Sequence, residues 1–138
     1  MTKAMFPGSF DPIHEGHLKI IKKSIKMFDE VFVVVTFNNE KENASDIQAR
    51  YEAVKEKLID FKNVTVLVNK GQMTADFARE HDITVLIRSA RNDLDFQYEL
   101  ELAAGNHSIN EELETVLVIP DYSDINYHSR LLRQRGNK

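Results

Sequence analysis

The stretch "FPGSFDPIHEGHLKII", residues 6–21, decides how this chain folds and where its chemistry sits. A short apolar run, KAMF at 3–6, leads into it, and Leu18, Ile21, Ile25 and Phe28 leave it at helical spacing over 17–28. Between strand and helix stand Pro7, Gly8, Pro12, His14, Gly16 and His17. Gly8 permits a tight turn and exposes backbone N–H groups. A helix that opens directly after such a turn presents its unpaired N–H groups and the positive end of its dipole to an anion.

The same strand–helix alternation continues outward. Apolar, β-branched runs recur at 31–36 (VFVVVT), 64–68 (VTVLV), 83–88 (ITVLIR) and 115–119 (TVLVI). Helical patterns fill the gaps. One covers 46–60 behind the capping-box sequence Ser45-Asp46-Ile47-Gln48, and one covers 74–81. Another spans 93–106 with Phe96, Leu100 and Ala103 on one face, and a short last helix starts near Ser129. Strands that are apolar throughout and separated by helices predict a parallel sheet covered on both faces. The expected architecture is a single doubly wound, Rossmann-like α/β domain over residues 1–138 with a five-stranded parallel sheet. No internal repeat, low-complexity tract or linker interrupts it.

Composition narrows the function classes. The 138 residues are 42% hydrophobic, enough for a sizeable core, and carry a net charge of −4, which argues against general nucleic-acid affinity. No cysteine is present, so disulfides and thiolate metal sites are excluded. No apolar run approaches a membrane span and no signal-peptide core stands at the N-terminus. The expectation is a soluble, cytoplasmic protein with no nucleic-acid or membrane partner.

Ligands of parallel sheets bind beyond the carboxyl ends of the strands, so the residues after each strand carry the functional reading. His14 and His17, three apart at the helix start, lie on about one side and can donate to phosphate oxygens; the alternatives are surface histidines or half a metal site. Gly16 allows a ligand close to the backbone. Arg88 ends an apolar strand and Arg91 follows one short turn later, two forked cations suited to phosphates or, alternatively, to pairing with Asp93 or Asp95. Lys41 stands in the charged loop Glu40-Lys41-Glu42, where a solvated lysine is the plain alternative. Asp95 and Glu99 share a helix face with Tyr98 nearby. Phe10, Phe77 and Phe96 read as core or pocket wall.

These residues resemble the bacterial phosphopantetheine adenylyltransferases, within the superfamily of H-x-G-H nucleotidyltransferases. The resemblance rests on Phe6-Pro7-Gly8-Ser9-Phe10-Asp11-Pro12, Gly16-His17, Asp76-Phe77-Ala78, Arg88-Ser89-Ala90-Arg91, Asp95-Phe96-Gln97-Tyr98-Glu99, Asn106 and Glu112-Leu113-Glu114-Thr115. It is colinear from residue 3 to about 120. It implies transfer of the adenylyl group of ATP to 4′-phosphopantetheine, giving dephospho-coenzyme A and pyrophosphate. It also implies catalytic roles for His17, Ser9 and Lys41. An ATP site would comprise Pro7, Gly8, Ser9, His17, Ser89, Arg91, Glu99, Ser129 and Arg133. A substrate site would comprise Ser9, Lys41, Met73, Arg88 and Asn106. Mg²⁺ would be the cofactor, held mainly by the ATP phosphates rather than by protein ligands.

Three departures from the family pattern stand out. Ser89-Ala90 replaces a glycine-leucine pair between the two arginines. The late phosphate-binding motif survives only as Tyr127-His128-Ser129-Arg130-Leu131-Leu132-Arg133. The family's C-terminal helix is missing from this sequence, which bears on the expected homo-oligomer, a hexamer in the family. Other readings are another nucleotidyltransferase of the superfamily (cytidylyl or nicotinamide mononucleotide adenylyl transfer) and a non-catalytic nucleotide or coenzyme A binder.

Overall fold

The computed structural model describes residues 1–37 and 44–125. Five strands form one sheet: β1 (Lys3–Gly8), β2 (Glu30–Thr36), β3 (Val64–Asn69), β4 (Val85–Arg88) and β5 (Glu114–Leu117). Four helices alternate with them: α1 (Glu15–Ser24), α2 (Ala44–Lys57), α3 (Thr74–Glu80) and α4 (Asp93–Ile109). A single 3₁₀ turn, Tyr122–Asp124, follows β5. The strand order is β3-β2-β1-β4-β5, with every pairing parallel. This is the expected Rossmann-like arrangement. Among the described residues no helix is long and apolar enough to cross a membrane.

Side-chain alternation along the strands builds a core on each face of the sheet. Ala4 and Phe6 of β1 and Val31, Val33 and Val35 of β2 pack with Ile20 and Ile21 of α1 and Ile47 and Val54 of α2. Met5 and Val34 point the other way, against Ala75, Phe77 and Ala78 of α3, with Ile83 and Leu86. Central strands are buried and the edge strands β3 and β5 are half-buried, as doubly covered sheets require.

Register opens the site. β1 pairs with β2 over six residues, Lys3↔Glu30 to Gly8↔Val35, but with β4 only at Ala4↔Val85 and Met5↔Leu86. The last three residues of β1 therefore run free of β4, and a crevice opens between the carboxyl ends of these strands. Here the chain order reverses direction across the sheet, the place where such sheets receive ligands.

Two helices depart from the sequence expectation. α2 begins at Ala44, one residue before the expected cap position Ser45. α4 inverts its expected polarity: its buried residues are Glu99 and Asn106, while Phe96 is 48% and Leu100 61% exposed. Phe10 and Phe77 are buried as expected, but Phe96 is not part of the core. The reason is the site: the face of α4 turned to the sheet is occupied by a carboxylate that holds Arg88, as set out next. The expected helix near Ser129 lies outside the described residues.

Candidate active site

Histidine capping organises the start of α1. His14 is the N-cap, with extended backbone, and its Nδ1 accepts from the Gly16 N–H at 3.0 Å. His17 answers reciprocally: its Nδ1 accepts from the His14 N–H at 3.1 Å. This is a capping box in which imidazoles replace the usual hydroxyl and carboxylate. With each Nδ1 accepting, the ring proton of each histidine sits on Nε2. The rings lie 3.8 Å apart between centroids, and Phe10 meets His17 edge-on at 4.8 Å.

The glycines also serve this packing. A Cβ on Gly16 would stand 2.9 Å from His14 Cε1, and one on Gly8 3.0 Å from the Phe10 ring. Phe10 itself is 2% exposed and holds a left-handed φ of 49°, costing on the order of 1 kcal/mol. Gly16→Ala is expected to push the His14 ring off its acceptor position and cost about 1 kcal/mol, the usual worth of a cap. His14→Ala should cost about the same, and the double variant hardly more than either, because both remove one interaction. Denaturant unfolding of the three variants checks this.

Burial first, and the adjacent His14 ring second, push the His17 imidazole from 6.5 down to about 4. His17 is therefore a neutral N–H donor throughout the neutral range. The unfolded chain takes up this proton near 6.5 and the folded chain only near 4, so stability falls as pH drops through that window and is level above it. Discounted for a partly exposed ring, the loss is about 1–2 kcal/mol. Unfolding of the wild type and of His17→Gln between neutral pH and pH about 4.5 is expected to show a smaller acid loss in the variant.

Two cavities flank the end of β1. The first, about 310 Å³, is lined by Phe6, His14, Gly16, His17, Lys19, Ile20, Ser89, Arg91, Pro120 and Asp124. The second, about 330 Å³, takes Pro7, Gly8, Thr36, Asn69, Gln72, Thr74, Arg88, Tyr98 and Leu102 among its walls. Arg88 and Ser89, neighbours in sequence, thus face opposite cavities.

Arg88 is held by Glu99 as a fork: Nε donates to Oε1 at 2.8 Å and Nη2 to Oε2 at 2.9 Å. Glu99 is 5% exposed and stands behind the arginine, lining neither of these two cavities. Two of the five guanidinium N–H donors are thereby used, which leaves three for a ligand. The partner is neither Asp93 nor Asp95. Arg91 instead meets Asp95, through its backbone N–H at 3.1 Å and its Nε at 3.5 Å.

The remaining sequence-derived residues fall as follows. Pro7 and Gly8 border the second cavity, and Ser89 and Arg91 the first. Met73 is the N-cap of α3 and 57% exposed, between the cavity-lining Gln72 and Thr74. Asn106 is buried, one helical turn beyond Leu102, and its Nδ2 has no hydrogen-bond partner among the described residues. Lys41, Ser129 and Arg133 lie outside the described residues.

One site-shaping residue escapes the motif reading. Arg50 of α2 is 7% exposed, and its Nη1 donates to the carbonyls of Ser9 and, at 2.8 Å, of Thr36. It ties the loop after β1 to the end of β2. The signal was its position: Ile47, Arg50, Val54 and Leu58 follow one helical stripe, and three of the four are apolar core.

Residues 5–135 match the cytidylyltransferase-like family. A phosphopantetheine adenylyltransferase of Mycoplasma capricolum is 40% identical over 134 residues, 97% of this chain and 96% of the relative. Another, of Nautilia profundicola, is 35% identical over 96% of this chain and 85% of its own length. The lipopolysaccharide core biosynthesis protein of Thermoplasma volcanium shares the fold, with a TM-score of 0.60 at 22% identity over 94% of this chain and 99% of that one. The chain belongs to the cytidylyltransferase-like family, in its phosphopantetheine adenylyltransferase branch.

Proposed function

We propose that this chain transfers the adenylyl group of ATP to 4′-phosphopantetheine, releasing pyrophosphate and forming dephospho-coenzyme A. The observation that carries the reading is the pair of cavities on either side of the β1 end, one with His17, Ser89 and Arg91, the other with Arg88 backed by Glu99. In this reading the first takes the nucleotide and the second the acceptor. Pro7 and Gly8 form the partition across which a phosphate oxygen of the acceptor reaches the α-phosphorus.

No protein nucleophile is required, because a phosphate monoester is largely dianionic at neutral pH, with a second pKa of about 6. Its oxygen forms a bond to the α-phosphorus as the bond to the β-phosphate oxygen breaks, and pyrophosphate carries the electron pair away. The protein aligns and stabilises. His17 Nε2–H donates to the α-phosphate, fixed in that tautomer by the His14 N–H. Arg88 and Lys41 grip the acceptor phosphate. Ser9, Arg91, Ser129 and Arg133 hold the triphosphate. Met73 and the Asn106 amide, whose Nδ2 has no partner among the described residues, face the pantetheine arm. Among the described residues the first cavity offers one carboxylate, Asp124, already paired with Lys19. Mg²⁺ would be held mainly by the phosphates and would neutralise part of the triphosphate charge when bound.

The chain is read as a cytoplasmic homo-oligomer; Leu94, Phe96 and Leu100, exposed on α4, support a partner copy there. The test of the reaction is pyrophosphate release from ATP, Mg²⁺ and 4′-phosphopantetheine. Pantetheine without its phosphate is expected to be inert, since the phosphate is the nucleophile; turnover with it overturns the mechanism.

A further inference from the structure

We propose that Lys19 is a direct ligand of the nucleotide polyphosphate, parked on Asp124 until the nucleotide arrives. The inference rests on reading the first cavity as the triphosphate site.

Lys19 and Lys23 lie one turn apart on α1 and face the loop after β5, but they are held differently. Lys23 Nζ stands 2.9 Å from Asp121 Oδ1 and donates to the Ile119 carbonyl at 2.7 Å. That pair of contacts clamps the loop to the helix. Lys19 Nζ is 3.3 Å from Asp124 Oδ2 and 3.7 Å from Asp121 Oδ2, a looser hold on carboxylates of which one is already satisfied. Lys19 and Asp124 line the first cavity; Lys23 and Asp121 are not among its lining residues. Lys23 is the clamp, and Lys19 is the cation at the cavity wall.

Charge supports the same assignment. Among the described lining residues the charged ones are Lys19, Arg91 and Asp124, two positive against one negative. Without Lys19, Arg91 is balanced by Asp124 on this part of the wall, so Lys19 supplies its excess positive charge. An ammonium with three N–H donors on a flexible stem can leave an exposed carboxylate for phosphate oxygens at little cost.

The alternative, a second structural clamp, makes the opposite forecast for one variant. ATP and AMP are titrated calorimetrically into wild type, Lys19→Met and Asp124→Asn. Lys19→Met is expected to weaken ATP roughly 5–20-fold and to leave AMP within about twofold, as loss of a partly solvated charge-assisted contact implies. Asp124→Asn frees the ammonium and removes a repelling charge, so it is expected to tighten ATP. If both variants weaken ATP, or if Lys19→Met weakens AMP as much as ATP, the lysine is only a clamp and the proposal falls. Wild-type pyrophosphate release is measured alongside. Turnover with ATP binding insensitive to Lys19→Met removes the lysine and keeps the reaction, whereas these binding shifts without turnover keep the lysine and remove the reaction.

Discussion

Replacing His17 with alanine is expected to lower kcat by roughly 10²–10³, the usual consequence of losing one preorganised donor to a reacting centre, while the fold survives. The geometry makes this sharper than a general statement about a histidine near phosphate. His17 is neutral because burial and His14 hold its pKa at about 4, and it presents Nε2–H because Nδ1 is taken by the His14 N–H. Its contribution is thus a hydrogen bond and not a charge, and His17 adds no inflection to the pH–rate profile between about 5 and 8. Any rise near pH 6 belongs to the second ionisation of the acceptor phosphate. Single-turnover rates of the variant across pH check both points, and near-wild-type kcat removes His17 from the chemistry. His14→Ala is expected to be milder in kcat, since His14 acts through the helix cap.

The second large effect is expected at the Arg88–Glu99 fork. Glu99 is nearly fully buried, so removing either partner strands a charge. Such losses cost about 3–5 kcal/mol when fully buried, and about 3 kcal/mol is expected here because the Arg88 side chain keeps 25% exposure. The functional consequences differ between the partners. Arg88→Ala should raise KM for 4′-phosphopantetheine by roughly 10²-fold, as loss of a charge-assisted contact to phosphate implies, with a smaller change for ATP. Arg88→Lys restores charge without the fork and should recover little. Glu99→Gln keeps the shape but halves the hold on the guanidinium, so it should lose stability with a milder change in KM. Denaturant midpoints read with the two KM values decide it. A larger rise in KM for ATP than for the acceptor would reverse the assignment of the two cavities.

Much of this was legible in the chain itself. Five apolar runs separated by helical patterns specify a parallel sheet because only a strand covered on both faces is apolar throughout. The reading located Phe10 and Phe77 correctly in the interior, and Arg88 at a strand end. It fell short on α4, where periodicity put Phe96, Leu100 and Ala103 on one face and Phe96 was read as core or pocket wall, but Phe96 and Leu100 are exposed. Helical periodicity reports which residues share a face, not which face a neighbour will cover, and here a buried carboxylate outweighs the aromatic ring. It missed a second role of Gly16, which lines the first cavity and also makes room for the His14 ring that caps the helix.

The sequence by itself determined the fold class and the family, and it supplied the candidate site residues, because these depend on local pattern and on motifs contiguous in the chain. Tertiary structure alone decided which groups meet. Arg88 finds Glu99 eleven residues away, Arg50 reaches the carbonyl of Ser9 across 41 residues, and Lys19 meets Asp124 across 105. Such pairings carry no local signature: an arginine, a glutamate or a lysine reads the same in solvent as in a site. What separates those states is burial and direction, set by strand order and by the point where β1 parts from β4. The tautomer of His17, the division of Arg88 and Ser89 between two cavities and the different holds on Lys19 and Lys23 all follow from that packing.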